Sequence, residues 1–302
     1  MTGSLWTENL GKRFGRTRVL DGLTFSVEEG SVYGLVGPNG AGKTTTVKIL
    51  MNIVPPSSGR AVLLGTASGD LSARQFQQIG YVSEGQELPG WMTVDYFMAY
   101  LRPFYPSWDD RRADELLTQL ALPRDRKLKH LSRGMRMKVA LASSLAYRPK
   151  LLVLDEPFTG LDPFVRDEFI EGLVESAQET TMLISSHDLA EIESFATHIG
   201  YLDRGRLQFS QSMASLTERF REVEVIVDRE ATLPPAWPAH WLRPEAAASV
   251  VRFVDSRFNQ EQTIGQLRHL FGDMARIAVT PMSLRAIFVT LARESRKSAL
   301  EA

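Results

Sequence analysis

The sequence predicts an α/β fold built on a largely parallel sheet, with a helical insertion and a small C-terminal α+β domain. Three observations carry this. Short apolar runs alternate with helical stretches over the first two thirds of the chain, an aromatic-rich helical segment interrupts them, and the texture changes after about Ser215. In order, Ser31-Val32-Tyr33-Gly34-Leu35-Val36 reads as a strand, followed by a Gly-rich turn and the helical periodicity of Thr44 to Met51. Further strands are expected at Gly80-Tyr81-Val82, Leu151 to Leu154, Met182 to Ser185 and Ile199 to Leu202, the last entering an Asp203-Arg204-Gly205 hairpin turn. Continuous apolar runs of this kind suit strands buried on both faces, as in a parallel sheet. From about Trp91 the pattern is helical, with Leu116, Leu117 and Leu120 at helix spacing, so a helical subdomain is expected over about 91–148. Beyond Ser215, Glu222 to Val227 alternates as a half-buried strand, Pro234-Pro235 and Pro238 mark a loop, and Val250 to Val254 gives another strand. A helix opening near Ser283 places Leu284, Ile287, Phe288 and Leu291 on one face and is expected to cover that small sheet. The expected domains are 1–215 and 216–302.

Composition narrows the function. A chain of 302 residues with 43% hydrophobic content has material for one large core or two smaller ones. With 24% charged residues and a formal net charge of -1, it has no bulk attraction to nucleic acid or an anionic membrane, and no nucleic-acid partner is expected. The absence of cysteine excludes disulfides, thiolate metal sites and a cysteine nucleophile, and fits a reducing, cytoplasmic setting. The start, Met1 to Trp6, lacks the order of a signal peptide, and no apolar run approaches the roughly 20 residues that span a bilayer. Work at a membrane is therefore expected to need a partner chain.

The sharpest chemical signal is Gly37-Pro38-Asn39-Gly40-Ala41-Gly42-Lys43-Thr44, followed by Thr45, between a predicted strand and a predicted helix. This is the phosphate-binding loop pattern. Its glycines let successive N–H groups face one point, the helix adds its positive end, Lys43 reaches outer phosphates, and Thr44 offers a hydroxyl to Mg²⁺. Leu151-Leu152-Val153-Leu154-Asp155-Glu156-Pro157 then ends an apolar strand on two consecutive carboxylates. One acid beside a metal and a second beside an attacking water is the arrangement phosphoryl transfer to water requires, with Asp155 and Glu156 in those roles. ATP and Mg²⁺ are the expected ligands.

Leu131-Ser132-Arg133-Gly134-Met135 before a helical run, and Ser185-Ser186-His187 at a strand end, complete an ordered series. Over residues 1 to 215 the chain resembles the ATP-binding subunit of an ABC transporter, a P-loop NTPase-type fold. The resemblance implies that Phe14 stacks on adenine, that the Gly160-Leu161-Asp162 loop crosses a dimer interface, and that His187 contacts the γ-phosphate. It also implies that Ser132 and Gly134 face ATP held by a second, identical or related subunit, and that the pair drives a separate permease at the inner face of the membrane. Read as single residues, Phe14 also suits a core position and His187 a satisfied polar one.

Two departures from the commonest family pattern stand out. The signature reads LSRGM where LSGGQ is usual, and the loop after Gly80-Tyr81-Val82-Ser83 carries Glu84 where a glutamine usually touches Mg²⁺ and the water. A carboxylate is also an oxygen ligand for a hard cation, so Glu84 is a metal and water candidate, with Gln86 as its rival and a solvated loop acid as the plain reading. Both departures, and the tail segment Pro281 to Phe288, resemble export-type bacterial subunits. Trp91, Phe97, Tyr100, Phe104, Tyr105 and Trp108 divide between core and permease docking, and the sequence does not sort them. A non-transport or regulatory ABC ATPase is the alternative function.

Overall fold

The chain opens on two long strands, β1 (Leu5–Phe14) and β2 (Thr17–Val27), turned at Gly15 with φ 56°. Leu5, Thr7 and Leu10 point inward from β1, and Leu20, Leu23, Phe25 and Val27 from β2. The strand β3 (Val32–Val36) is buried at all five positions and runs through the Gly-rich turn into α1 (Lys43–Leu50). Next come β4 (Ser58–Leu63), β5 (Thr66–Ala67), α2 (Ala73–Phe76) and β6 (Ile79–Ser83). The insertion holds α3 (Val94–Leu101), α4 (Asp110–Gln119) and α5 (Arg133–Leu145). Each begins on a side-chain cap: Thr93, Asp109 and Ser132 accept from the N–H groups of Tyr96, Arg112 and Met135. The first unit closes with β7 (Leu151–Asp155), α6 (Pro163–Ser176), β8 (Thr181–Ser186), β9 (His198–Asp203) and β10 (Arg206–Ser212). This computed structural model describes residues 3–176, 180–228, 230–234, 237–272 and 274–301; Met1, Thr2 and the Pro235 of the expected loop lie outside them.

Two sheets build this unit. One, in the order β10-β9-β3-β8-β7-β6, is parallel where β3 meets β8 and β9 and where β7 meets β6 and β8. The other, β2-β1-β4-β5, is antiparallel and was not foreseen in the sequence. Residues of β1, β2 and β4 share one core with Val47, Ile49 and Leu50 of α1 and with Leu35, Val153 and Leu183 of the parallel sheet. Strand register sets the neighbours at the sheet edge: Val36 lies beside Ser186, Ser185 beside Asp155, and Asp155 beside Ser83. Parallel strands end together, so the segments after β3, β6, β7 and β8 emerge along one edge of the sheet.

The chain divides into two compact units, Met1–Ser210 and Gln211–Ala302, five residues before the expected boundary. The second unit contains α7 (Met213–Arg219), β11 (Arg221–Ile226), β12 (Trp241–Ala247), β13 (Val250–Asp255), α8 (Gln260–Phe271), β14 (Arg276–Pro281) and α9 (Leu284–Glu301). Its antiparallel sheet has the order β12-β13-β11-β14. Leu267 of α8 enters the core with Val223, Val225, Trp241, Val251 and Phe253. The last helix was expected to cover this sheet; α9 packs on its edge strand β12 and also on α7. Its Ile287 is buried, while Leu284, Phe288 and Leu291 are half-buried.

Asp255, fully buried, accepts from the Thr263 hydroxyl at 2.7 Å and the Arg257 N–H at 2.8 Å. Removing a donor from a buried acceptor leaves its desolvation uncompensated. Thr263→Val is therefore expected to destabilise the second unit by about 1–3 kcal/mol, seen as an earlier urea transition by circular dichroism. An unchanged transition would mean that this bond contributes nothing to the unit.

Candidate functional site

The loop after β3 is shaped by glycines with separate reasons. A Cβ on Gly37 would stand 2.1 Å from the carbonyl oxygen of Leu202, and the Gly37 N–H reaches the Ser186 carbonyl at 3.2 Å. Gly40 and Gly42 take φ of 80° and 110°, left-handed values that side chains disfavour. Gly42 caps α1, whose first residue, Lys43, is only 4% exposed. The Lys43 ammonium donates to the carbonyls of Gly37 at 2.7 Å and Pro38 at 3.2 Å and stands 3.0 Å from Glu156 Oε1. A buried cation is thus fixed inside a ring of backbone, at a helix start suited to anions.

Asp155 ends β7 and is almost wholly buried. Its Oδ1 accepts from the Ser185 hydroxyl at 2.6 Å and the Thr44 hydroxyl at 3.2 Å. Burial pushes its carboxyl above the usual range, against the pull of those two hydroxyls, and the nearby negative charges of Glu156 and Glu84 push the same way. Thr44, Asp155 and Glu84 are all oxygen donors, the set a hard cation such as Mg²⁺ takes. No cation of the chain touches Asp155 among the described residues, so the donor set fits the metal.

Glu156 takes φ 50°, a strained value for a side-chain-bearing residue, and is anchored by its N–H to the Ser185 hydroxyl at 3.0 Å. Its Oε2 receives His187 Nδ1 at 2.7 Å and the Thr159 hydroxyl at 3.2 Å. Burial alone would raise this carboxyl, but the hydrogen bonds from His187 and Lys43 outweigh it and hold it below the usual range. His187 is 41% exposed, and its hydrogen bond to Glu156 raises its pKa. Glu191, raised by burial, accepts from Ser186 behind the site.

Lys43, Thr44, Glu156 and His187 open onto a cleft of about 510 Å³ lined also by Val19, Asn39, Gly40, Gly42, Thr45, Glu84 and Thr159; Asp155 does not line it and is reached through the Thr44 hydroxyl. Glu84 faces the cleft, whereas Gln86 does not line it and its side chain folds back to accept from the Ser83 N–H. Pro38 and Ala41 do not line the cleft; within the loop the Ala41 N–H donates to the Pro38 carbonyl at 3.1 Å. Phe14, at the end of β1, is 50% exposed, so the core alternative is set aside; the Lys12 ammonium lies 4.8 Å from its ring centroid. Ser132, Gly134 and Asp162 do not line this cleft: Ser132 caps α5, and Asp162 accepts from the Val165 N–H at the start of α6. Thr159 and Ser185 received no role from the sequence. Their signal was the spacing of a hydroxyl three residues after Glu156, and one placed by register beside Asp155.

The Glu156–His187 pair sets a pH window. A raised His187 contributes stability below its ordinary pKa and loses it as pH rises through the raised value; a lowered Glu156 contributes above its ordinary pKa and loses it as pH falls through the lowered one. The closed pair is therefore confined between those two values. Nuclear magnetic resonance titration of the nucleotide-free protein should place the His187 midpoint above the ordinary value, about 6.5. In Glu156→Gln that midpoint should move down, and an unmoved midpoint would contradict the pairing.

A family model described as ABC transporter matches residues 20–159. The chain is 30% identical over 226 residues to the ABC transporter ATP-binding protein YtrB of Bacillus subtilis (strain 168), covering 74% of this chain and 77% of that one. It is 37% identical over 215 residues to the daunorubicin/doxorubicin resistance ATP-binding protein DrrA of Streptomyces peucetius, covering 68% and 64%. An uncharacterized ABC transporter ATP-binding protein of Synechocystis shows 33% identity over 213 residues, and this chain spans 60% of its length. Among solved structures, an ATP-binding subunit of an ABC transporter superposes with a TM-score of 0.65 at 27% identity, covering 71% of this chain and 92% of that one. The cleft at the sheet edge and these likenesses lead to one conclusion: the chain belongs to the ABC transporter ATP-binding proteins, ATPases that carry the P-loop α/β fold found in its first unit.

Proposed function

We propose that this chain binds ATP with Mg²⁺ in the cleft, hydrolyses it with Glu156 as the base, and pairs head to tail with a second, identical or related ATPase subunit to drive a separate export permease. The observation that carries the reading is Glu156, held between the Lys43 ammonium and the His187 imidazole at the mouth of the phosphate loop. In the free protein Lys43 neutralises Glu156. Arriving phosphates compete for that ammonium, and Glu156 is then released to accept the proton of an attacking water as the γ-phosphoryl bond breaks. His187, hydrogen-bonded to Glu156 through Nδ1, keeps Nε2 for a γ-phosphate oxygen. Thr44, Asp155 and Glu84 would hold the Mg²⁺, which supplies neutralising charge to the outer phosphates. Thr45 and the N–H groups of residues 39–43 bind phosphate oxygens, and exposed Phe14 offers its ring to adenine.

The second subunit is proposed because Ser132 and Gly134 lie at the start of α5 yet line no part of their own cleft. Ser132 accepts from the Met135 N–H, which leaves its own O–H to donate to a partner's γ-phosphate, with Asp162 in the adjoining loop. For the permease, α3 offers a surface: Tyr96 and Tyr100 are exposed, and their rings lie 5.8 Å from Trp91 and 5.5 Å from Phe104, both exposed. Phe97 is buried, and Tyr105 stacks on Tyr147 at 3.8 Å, so those two serve the core. Export is supported by DrrA, named for drug resistance. Among the described residues no helix is long and apolar enough to cross a membrane, and the proposed location is cytoplasmic, held at the inner membrane face by the permease.

Glu156→Gln tests the reading. It should keep ATP binding and slow hydrolysis by about 10²- to 10⁴-fold, the usual loss of a positioned general base. Because ATP joins the two subunits, light scattering should find this variant dimeric with ATP and monomeric with ADP, and adding Ser132→Arg should abolish the dimer. A Glu156→Gln protein that hydrolyses ATP normally would remove Glu156 from the chemistry.

A further inference from the structure

Glu84 and Arg133, two of the three positions at which this sequence leaves the commonest family pattern, are 49 residues apart and touch. Arg133 Nη2 lies 3.3 Å from Glu84 Oε1. Each side chain is about half exposed, at 45% and 46%. The Arg133 guanidinium also lies against Gly160, where a Cβ would stand 2.9 Å from Nη1 and 3.2 Å from Cζ. Gly160 has φ 73°, so that loop offers bare backbone for the planar group to lie on. One side chain therefore joins the loop after β6, the start of α5 and the loop after β7.

Glu84 stands on a wall between two spaces. On one side is the cleft with Lys43, Thr44 and Glu156; on the other is a groove of about 790 Å³ lined by residues 84–88 and Gly90, by Leu128 and Lys129, and by Arg133, Arg136, Met137 and Ala140 of α5. Without a counter-charge, Glu84 would be a third carboxylate beside Asp155 and Glu156, and it already pushes Asp155 up after burial has done so. A glutamine at this position needs no such partner. Arginine in the signature segment and glutamate in the loop form one charge-balanced feature.

We infer that Arg133 is a positioning residue for Glu84: it draws the carboxylate toward the groove and screens its charge until Mg²⁺ enters the cleft. The inference rests on the nucleotide-binding reading of the cleft. It gives Arg133 a direct consequence for metal dependence. When ATP arrives without metal, Arg133 shields the phosphates from Glu84; when Mg²⁺ comes with it, Arg133 competes for the same carboxylate. Losing Arg133 should weaken metal-free binding and leave or strengthen metal-bound binding, so the ratio between the two affinities should rise.

The experiment measures the affinity of a fluorescent ATP analogue with excess Mg²⁺ and with EDTA for the full-length wild type, R133M, R133K, E84Q and E84Q/R133M. Exposed ion pairs have modest strength, so the affinity ratio in R133M is expected to rise about two- to fivefold over wild type. R133K keeps the charge and should stay near the wild-type ratio. In the E84Q background the R133M change should leave the ratio unmoved, because its target is gone. Raising the salt concentration should shrink the R133M effect. Equal shifts in R133M and R133K would assign Arg133 to packing on Gly160 alone and overturn the proposal, as would the same R133M shift in both backgrounds. Wild-type binding with an additive cycle refutes only this coupling; a wild-type protein that binds no nucleotide refutes the cleft reading as well.

Discussion

The site depends on a buried ammonium. Lys43 sits at 4% exposure in contact with two carbonyls of its own loop and with Glu156. A charge taken out of water costs several kcal/mol unless it is paired and hydrogen-bonded, so the loop must wrap around it and Glu156 must reach back to it. Those demands propagate. The wrap needs Gly37 where the Leu202 carbonyl leaves no room for a side chain. The reach needs Glu156 at the end of β7, one strand beyond β8, with its N–H tied to Ser185. Even the β9–β10 turn takes part, through the bond from the Gly205 N–H to the Ala41 carbonyl at 3.0 Å.

Much of this was legible in the sequence, for a physical reason. Parallel strands buried on both faces are written as apolar runs, and the chemistry sits just after them. Val32 to Val36, Leu151 to Leu154 and Met182 to Ser185 could thus be read together with Lys43, Asp155, Glu156 and His187 at their ends. The antiparallel sheet escaped because β1 and β2 mix buried and exposed residues and contain breaks in register, so neither periodicity stands out. Helix α8 escaped because it opens on Gln260-Glu261-Gln262 and buries only Thr263 and Leu267 fully. Some side-chain meetings carried no signal in the sequence: no local pattern says that Arg133 faces Glu84, or that Gln86 turns back to the Ser83 N–H. The aromatic run was ambiguous because alternate faces of one helix use it differently, Phe97 inward and Tyr96 and Tyr100 outward.

The electrostatics of the cleft arise from the same crowding. Three carboxylates and one ammonium share a small space, and each carboxylate, two buried and Glu84 half exposed, is balanced by different partners. Asp155 relies on hydroxyls, Glu156 on Lys43 and His187, and Glu84 on Arg133. Directions of pKa shift track those answers: Asp155, with neutral donors only, goes up, and Glu156, with two cationic ones, goes down.

Glu156 holds its place at φ 50°, a backbone setting that glycine, asparagine and aspartate adopt with less strain. A glutamate at this position therefore runs against the local backbone preference. A descendant that no longer needed the carboxylate would gain backbone relief by drifting to Gly or Asn, and β-branched replacements would be selected against even with the carboxylate gone. The identity of the residue at this one position would then record whether a lineage lost its chemistry and kept its fold.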